Sequence, residues 1–166
     1  MMFLLFILFF SVSSDTNLTK CELFITPQEN SFFIGVETVY SISRIFDVNK
    51  DRVIANGEEI EMSSTRFRHV DTDENNEIKV FELNDALLDK KISLHGLNEN
   101  QSKRIAKAIC RGYKISINSL GILGKKIDTN HDGAVSEKEM AEILYKGNVV
   151  ISGPYVVGLN GFGMPE

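Results

Sequence analysis

Three segments of the chain share one spacing of oxygen-bearing side chains, and this spacing constrains the fold more than any other feature. Each segment has Asp or Asn at its first, third and fifth positions and Glu at its twelfth; the segments are residues 47–58, 71–82 and 128–139. A hard divalent cation such as calcium takes about six to eight oxygen ligands at about 2.3–2.6 Å. A short stretch of backbone can supply them when side-chain ligands recur at every second residue and a bidentate carboxylate follows. The spacing therefore predicts three loops that each close around one calcium ion.

The expected ligands are the side chains at positions one, three, five and twelve and the backbone carbonyl at position seven. Position eight is aliphatic in each loop, as Ile54, Ile78 and Val135, and it is expected to lie in a two-residue strand that joins paired loops. The candidate ligands are Asp47, Asn49, Asp51, the carbonyl of Val53 and Glu58; Asp71, Asp73, Asn75, the carbonyl of Glu77 and Glu82; and Asp128, Asn130, Asp132, the carbonyl of Ala134 and Glu139.

In these residues the chain resembles the EF-hand calcium-binding superfamily, and the resemblance covers about residues 31–146. It implies an all-α fold of helix–loop–helix units, or hands, with short two-stranded pairings between loops. It also implies calcium as the bound cofactor. Solvated acidic turns are the alternative, but three full matches with glutamate at position twelve argue against it.

The three loops differ at position six, where the backbone must turn sharply with a positive φ. Gly133 meets this requirement in the third loop, and Asn76 tolerates it in the second. Arg52 in the first loop would adopt this conformation at a cost of about 1 kcal/mol, and it also brings positive charge close to the ion. We therefore expect calcium affinity to fall from the third loop to the second and then to the first.

The segments around the loops predict helices. Thr26, Pro27 and Glu29 are typical of a helix start, so we expect one amphipathic helix from there into Asp47. Residues 58–70 are too few for two helices, so this segment is predicted to serve both the first and the second hand.

Four regions follow from this pattern. Residues 15–90 form an amino-terminal pair of hands, residues 91–98 are a linker, residues 99–147 form a carboxyl-terminal lobe, and residues 148–166 are an apolar tail. The linker is predicted because it contains a glycine and shows little periodicity.

Three loops leave one without a partner. The alternating segment from Lys114 to Ile117 lies between two predicted helices, so it resembles a degenerate hand that has lost its ligands. Pairing of the third hand across a homodimer is the alternative. We favour the degenerate partner, and with it a monomer.

The apolar tail would risk aggregation if it were fully exposed. We therefore expect it to fold back into the groove between the third hand and its degenerate partner, with turns at Gly147 and at Gly153-Pro154. A mobile tail is the alternative.

The first residues predict secretion. Residues 1–14 resemble a cleaved signal peptide, because the first ten are all Met, Phe, Leu or Ile and too few to span a bilayer. An oxidising compartment permits a disulfide between Cys21 and Cys110, and glycosylation at Asn17 or Asn100 would follow the same logic. No second segment approaches membrane-spanning length.

The charge distribution bears on partners. A formal net charge of -5 makes nucleic acid a poor partner. Lys103, Arg104, Lys107 and Arg111 share one face of a predicted helix. This face is either solvated or a docking surface for an anionic lipid, a glycan or an acidic protein.

No serine or cysteine lies in a nucleophile motif, and many of the candidate catalytic acids are expected calcium ligands, so the chain is not expected to be an enzyme. We expect a secreted or lumenal calcium-binding protein whose ions are mainly structural or gate the binding of a protein partner. The alternative is a sensor that exposes a groove when calcium binds. The scarcity of methionine on the predicted hand helices argues against that role.

Overall fold

The computed structural model describes residues 26–27, 31–54, 64–146 and 149–158. Within those residues the fold is rich in helix but is not all-α, because small antiparallel sheets accompany the helices. The described residues form six helices: α1 (Val36–Ile45), α2 (Ser64–Val70), α3 (Val80–Leu88), α4 (Glu99–Cys110), α5 (Ile117–Ile127) and α6 (Glu137–Tyr145). The same part of the chain contains eight strands: β1 (Thr26–Pro27), β2 (Ser31–Phe33), β3 (Val53–Ile54), β4 (Ile78–Lys79), β5 (Ile115–Ser116), β6 (Ala134–Val135), β7 (Val149–Ser152) and β8 (Tyr155–Gly158).

The amino-terminal region corrects the sequence prediction of a single helix from Thr26 to Asp47. Its first described residues form β1 and β2, and α1 begins only at Val36. Gly35, immediately before α1, has φ 88 and ψ 151, a conformation that is almost restricted to glycine. The chain therefore changes direction at Gly35 and cannot continue a helix through it.

Two pairs of two-residue strands connect the loops. β3 pairs antiparallel with β4 and places Ile54 opposite Ile78, and β5 pairs antiparallel with β6 and places Ile115 opposite Val135. All four side chains are buried. The strand expected near residues 114–117 is thus present and pairs with the third loop.

The carboxyl-terminal segment forms a hairpin of β7 and β8 that adds to β2, so the larger sheet has the order β1–β2–β8–β7. The tail folds back on the chain, as expected, and Gly153 with φ 68 lies in its turn. Its position differs from the prediction, which placed the tail as a single segment in a groove between helices. The tail instead forms a hairpin that pairs with β2, and its Ile151 forms an isolated β-bridge with Leu94. The sheet contacts α5 through β1 and β2 and α6 through β7.

One apolar core runs through both halves of the described chain. α1 packs against α3 and against α4, and α4 packs most extensively against α6. The predicted linker contributes Ile92, Leu94 and Leu97 to this core, each less than 8% exposed. The two halves therefore share one interior.

Helices α2 and α5 each lie between two loops of a pair, as expected from the short spacing of the first two. α5 starts at Ile117 and is interrupted at Gly121, which has φ 66. No helix among the described residues is long and apolar enough to cross a bilayer.

Several predictions fall outside the described residues, namely the signal peptide at residues 1–14, the sequon at Asn17, Cys21, and a turn at Gly147. Cys110 is fully buried at the end of α4, and its disulfide with Cys21 stays a prediction. Asn100 is exposed in the first turn of α4, and its glycosylation also stays a prediction.

Candidate metal centres

The second loop folds around the carboxylate at its first position. Asp71 is 6% exposed, and its two oxygens accept hydrogen bonds from the backbone amides of Asn75 at 3.2 Å and Asn76 at 2.8 Å. The side chain of Asp73 accepts from the same Asn75 amide at 3.3 Å, and that of Asn75 accepts from the Glu77 amide at 2.9 Å. These local bonds draw the first, third and fifth side chains toward one side of the loop.

Glu82, at position twelve, closes the second loop. One carboxylate oxygen accepts from the Thr72 amide at 2.9 Å and the other from the Lys79 amide at 2.9 Å. Since Glu82 is also the third residue of α3, the bond to Lys79 is one arm of a capping box for that helix. A single glutamate therefore joins the beginning of the loop to the helix that follows it.

The third loop repeats this arrangement at its beginning. The oxygens of Asp128 accept from the amides of Asp132 at 3.3 Å and Gly133 at 2.9 Å. Asp132 in turn accepts from the Ala134 amide at 3.0 Å. Position one is again buried, with Asp128 3% exposed.

The closing glutamate is repeated as well. Glu139 accepts from the Asn130 amide at 3.2 Å through one oxygen and from the Ser136 amide at 2.9 Å through the other. Burial would raise the pKa of Glu139, but hydrogen bonds from Ser136, Asn130 and Thr129 outweigh it and lower the pKa. The carboxylate is thus held in its ionised form, which is the form that binds a cation.

In each of these loops three carboxylates converge. The trios are Asp71, Asp73 and Glu82, and Asp128, Asp132 and Glu139, and in each trio one oxygen per residue lies within 4.8 Å of the others. The neighbouring candidate ligands Asn75 and Asn130 add amide oxygens. A donor set made of oxygen alone suits calcium or magnesium and is a poor set for zinc, which takes nitrogen and sulfur ligands.

The first loop has the same hydrogen bonds over its described part. Asp47 accepts from the amides of Asp51 at 3.2 Å and Arg52 at 2.8 Å. Asn49 accepts from the Asp51 amide at 3.1 Å, and Asp51 accepts from the Val53 amide at 2.9 Å. Glu58, the predicted twelfth-position ligand, lies outside the described residues, so the structure brings together only the first part of this candidate site.

The backbone carbonyls predicted as ligands occupy equivalent places. Val53 and Ala134 begin β3 and β6, and Glu77 directly precedes β4. In each loop the seventh position therefore lies at the edge of a paired strand, immediately before the buried aliphatic residue.

All three loops have left-handed backbone at positions four and six. The prediction of positive φ at position six is confirmed, but position four was missed. The φ values are 63 for Lys50 and 73 for Arg52, 57 for Glu74 and 66 for Asn76, and 56 for His131 and 88 for Gly133.

Two lysines near the carboxylates were also missed. Lys79 lies 3.3 Å from Asp73, and Lys114, from the segment that pairs with the third loop, lies 3.1 Å from Asp132. The Ala134 amide and then Lys114 lower the pKa of Asp132. For Asp73 desolvation raises the pKa, but Lys79 and other hydrogen-bond donors lower it overall. The sequence could identify Lys114 as a neighbour of Asp132 only if the pairing of residues 114–117 with the third loop was already known.

No protein-family model matches the chain, and no curated protein or solved structure shows significant similarity to it.

Proposed function

We propose that the chain is a calcium-binding protein with three EF-hand loops and that the bound ions are chiefly structural. The observation that carries this proposal is the repetition of one hydrogen-bond pattern. In each loop the first-position aspartate accepts from the amides of positions five and six, with distances that agree within about 0.1 Å between loops. Three segments remote in sequence thus share a fold that gathers oxygen ligands.

The ligand chemistry favours calcium over transition metals. The candidate ligands are carboxylates, amides and backbone carbonyls, with no cysteine or histidine among them. His131, the histidine within a loop, is exposed at position four with φ 56 and is not proposed as a ligand. Hard oxygen donors on a loop of this length suit calcium, which accepts irregular geometry more readily than magnesium does.

A structural role fits the packing better than a switch. α2 and α5 each connect two loops, so a movement of either helix on ion binding would disturb both loops at once. The larger sheet covers part of α5 and α6, and Met140 on α6 is fully buried. A sensor needs hand helices that are free to move apart and open a groove to a target, and here two of those helices already pack against the sheet.

Secretion into a calcium-rich compartment is part of the proposal and is supported by the apolar first residues. Extracellular EF-hand modules bind calcium at about 10⁻⁴–10⁻³ M. Loops with such affinities would be largely filled where calcium is about millimolar, which again favours a structural role. A docked protein partner remains compatible with this role.

Glu139→Gln tests the ligand assignment. This change leaves one carbonyl oxygen where a bidentate carboxylate is expected, so the third site should be lost and the stoichiometry should fall by one ion per chain in a calorimetric titration. Glu142→Gln is the matched control, because Glu142 is an exposed glutamate on the same helix.

The assignment is wrong if Glu139→Gln binds as many ions as the unmodified protein. It is equally wrong if Glu142→Gln loses an ion in the same way, since the effect would then reflect the net charge of α6.

A further inference from the structure

A cavity of about 790 Å³ lies beside the first loop, and five of its eleven lining residues are cations. Arg44 comes from α1, Lys50 and Arg52 from the first loop, Lys79 from β4, and Arg104 from α4. They come from three parts of the sequence, namely residues 44–52, Lys79 and Arg104, and the fold brings them to one place on a chain whose formal net charge is -5. Its volume falls within the range of about 300–1,000 Å³ typical of small-molecule sites.

Three of these cations lack a carboxylate partner in the described part of the chain. Among the residues that the structure describes, no carboxylate forms an ion pair with Arg44, Lys50 or Arg52. The adjacent carboxylate, Asp47, is instead held by backbone amides of its own loop. The other two loops differ, since each has a lysine paired with one of its aspartates. The lining carries five cations against one carboxylate, Asp47, so its excess of positive charge favours an anion.

Two exposed aromatic rings orient cations at the cavity. The guanidinium of Arg44 lies 5.9 Å from the ring centre of Tyr40, and the ammonium of Lys79 lies 5.8 Å from that of Phe81. Tyr40 is 44% exposed and Phe81 is 51% exposed, although both also line the cavity. A cation held over a ring loses less side-chain entropy when it binds a ligand.

We propose that this cavity binds a small organic molecule that carries two or more sulfate or phosphate groups. Guanidinium groups form paired hydrogen bonds with such tetrahedral oxyanions, and the three arginines arrive from three different segments. A ligand with more than one anionic group can therefore bridge α1, the first loop and α4. Arg44 and Arg104 lie outside the candidate calcium ligands, so this site can fail while the proposed calcium binding holds.

Calorimetric titration of the calcium-saturated protein tests the site with two probes, sucrose octasulfate and fructose 1,6-bisphosphate. We expect at least one probe to bind at one molecule per chain, and the preferred probe distinguishes sulfate from phosphate ligands. Arg44→Gln and Arg104→Gln should each weaken that binding about tenfold or more, because each removes charged hydrogen-bond donors. Neutral sucrose should not bind.

Arg68→Gln is the matched control, because Arg68 is an exposed arginine on α2 that does not line the cavity. Its affinity for the probe should equal that of the unmodified protein. The proposal is overturned if neither probe binds, or if Arg68→Gln weakens binding as much as Arg44→Gln, since the attraction would then belong to surface charge in general.

Discussion

At the scale of single residues, left-handed backbone at positions four and six gives each loop its shape. These two positions alternate with the candidate ligands at positions three and five. The backbone of the loop therefore turns twice, and the ligand side chains remain on one side of it. Position four is occupied by Lys50, Glu74 and His131, which share no chemistry, so their identity could not predict the conformation. Position six could be predicted because it is a glycine, Gly133, in the third loop, and glycine adopts a positive φ at little cost.

Arg52 occupies position six of the first loop with φ 73, in a region disfavoured for residues with a Cβ. Arg52→Gly should tighten calcium binding at the first loop, because it relieves about 1 kcal/mol of backbone strain and removes a positive charge. The amide that donates to Asp47 at 2.8 Å is retained in the variant. Calcium titration of the first site measures the effect.

Arg52→Lys provides the control for this prediction, since it keeps both the strain and the charge and should leave the affinity unchanged. Equal or weaker calcium binding by Arg52→Gly would mean that the loop holds the arginine without strain and that its charge does not matter.

At the scale of elements, the helices around the loops were the most predictable part of the fold. α3, α4 and α6 lie close to their expected places, because each has apolar residues at helical spacing and a start or stop signal nearby. β2 was mistaken for helix, since Phe32 and Phe33 also fit the spacing of the helix that follows. Its true partner, β8, lies near the other end of the chain, and local periodicity carries no information about so remote a contact.

Strand β8 of the carboxyl-terminal hairpin should contribute to stability mainly through one of its faces, because its residues alternate between buried and half-buried. Val156 is fully buried and its neighbour Val157 is half-buried, as expected for successive residues of a strand. Val156→Thr should lower the free energy of unfolding by about 1–3 kcal/mol, because it buries a hydroxyl without a partner. Val157→Thr should change it by less than about 0.5 kcal/mol.

Urea denaturation in saturating calcium measures both variants. If the two substitutions have the same small effect, the hairpin does not pack against the core as described, and the tail would add little to stability.

At the scale of the whole molecule, two loop pairs share one interior. Each pair consists of three helices, with α2 or α5 common to both of its loops, and α1 connects the pairs by packing against α3 and α4. The sequence indicated the first pairing through the aliphatic residue at position eight and the second through the alternating segment from Lys114 to Ile117, but it suggested two lobes with a linker between them. Ile92 and Leu94 are buried in the common core instead. A segment with little periodicity can still be buried where it crosses the core. Its burial depends on long-range contacts, which the local sequence pattern does not show.

The central claim is that each of the three loops binds one calcium ion. Native mass spectrometry of the metal-depleted protein counts the ions directly as calcium is added up to about millimolar concentration, the range in which extracellular modules fill. We expect three calcium ions per chain, and none in a variant with Glu58, Glu82 and Glu139 all changed to glutamine. A protein that takes up no calcium in this range, or a triple variant that retains all three ions, would contradict the claim.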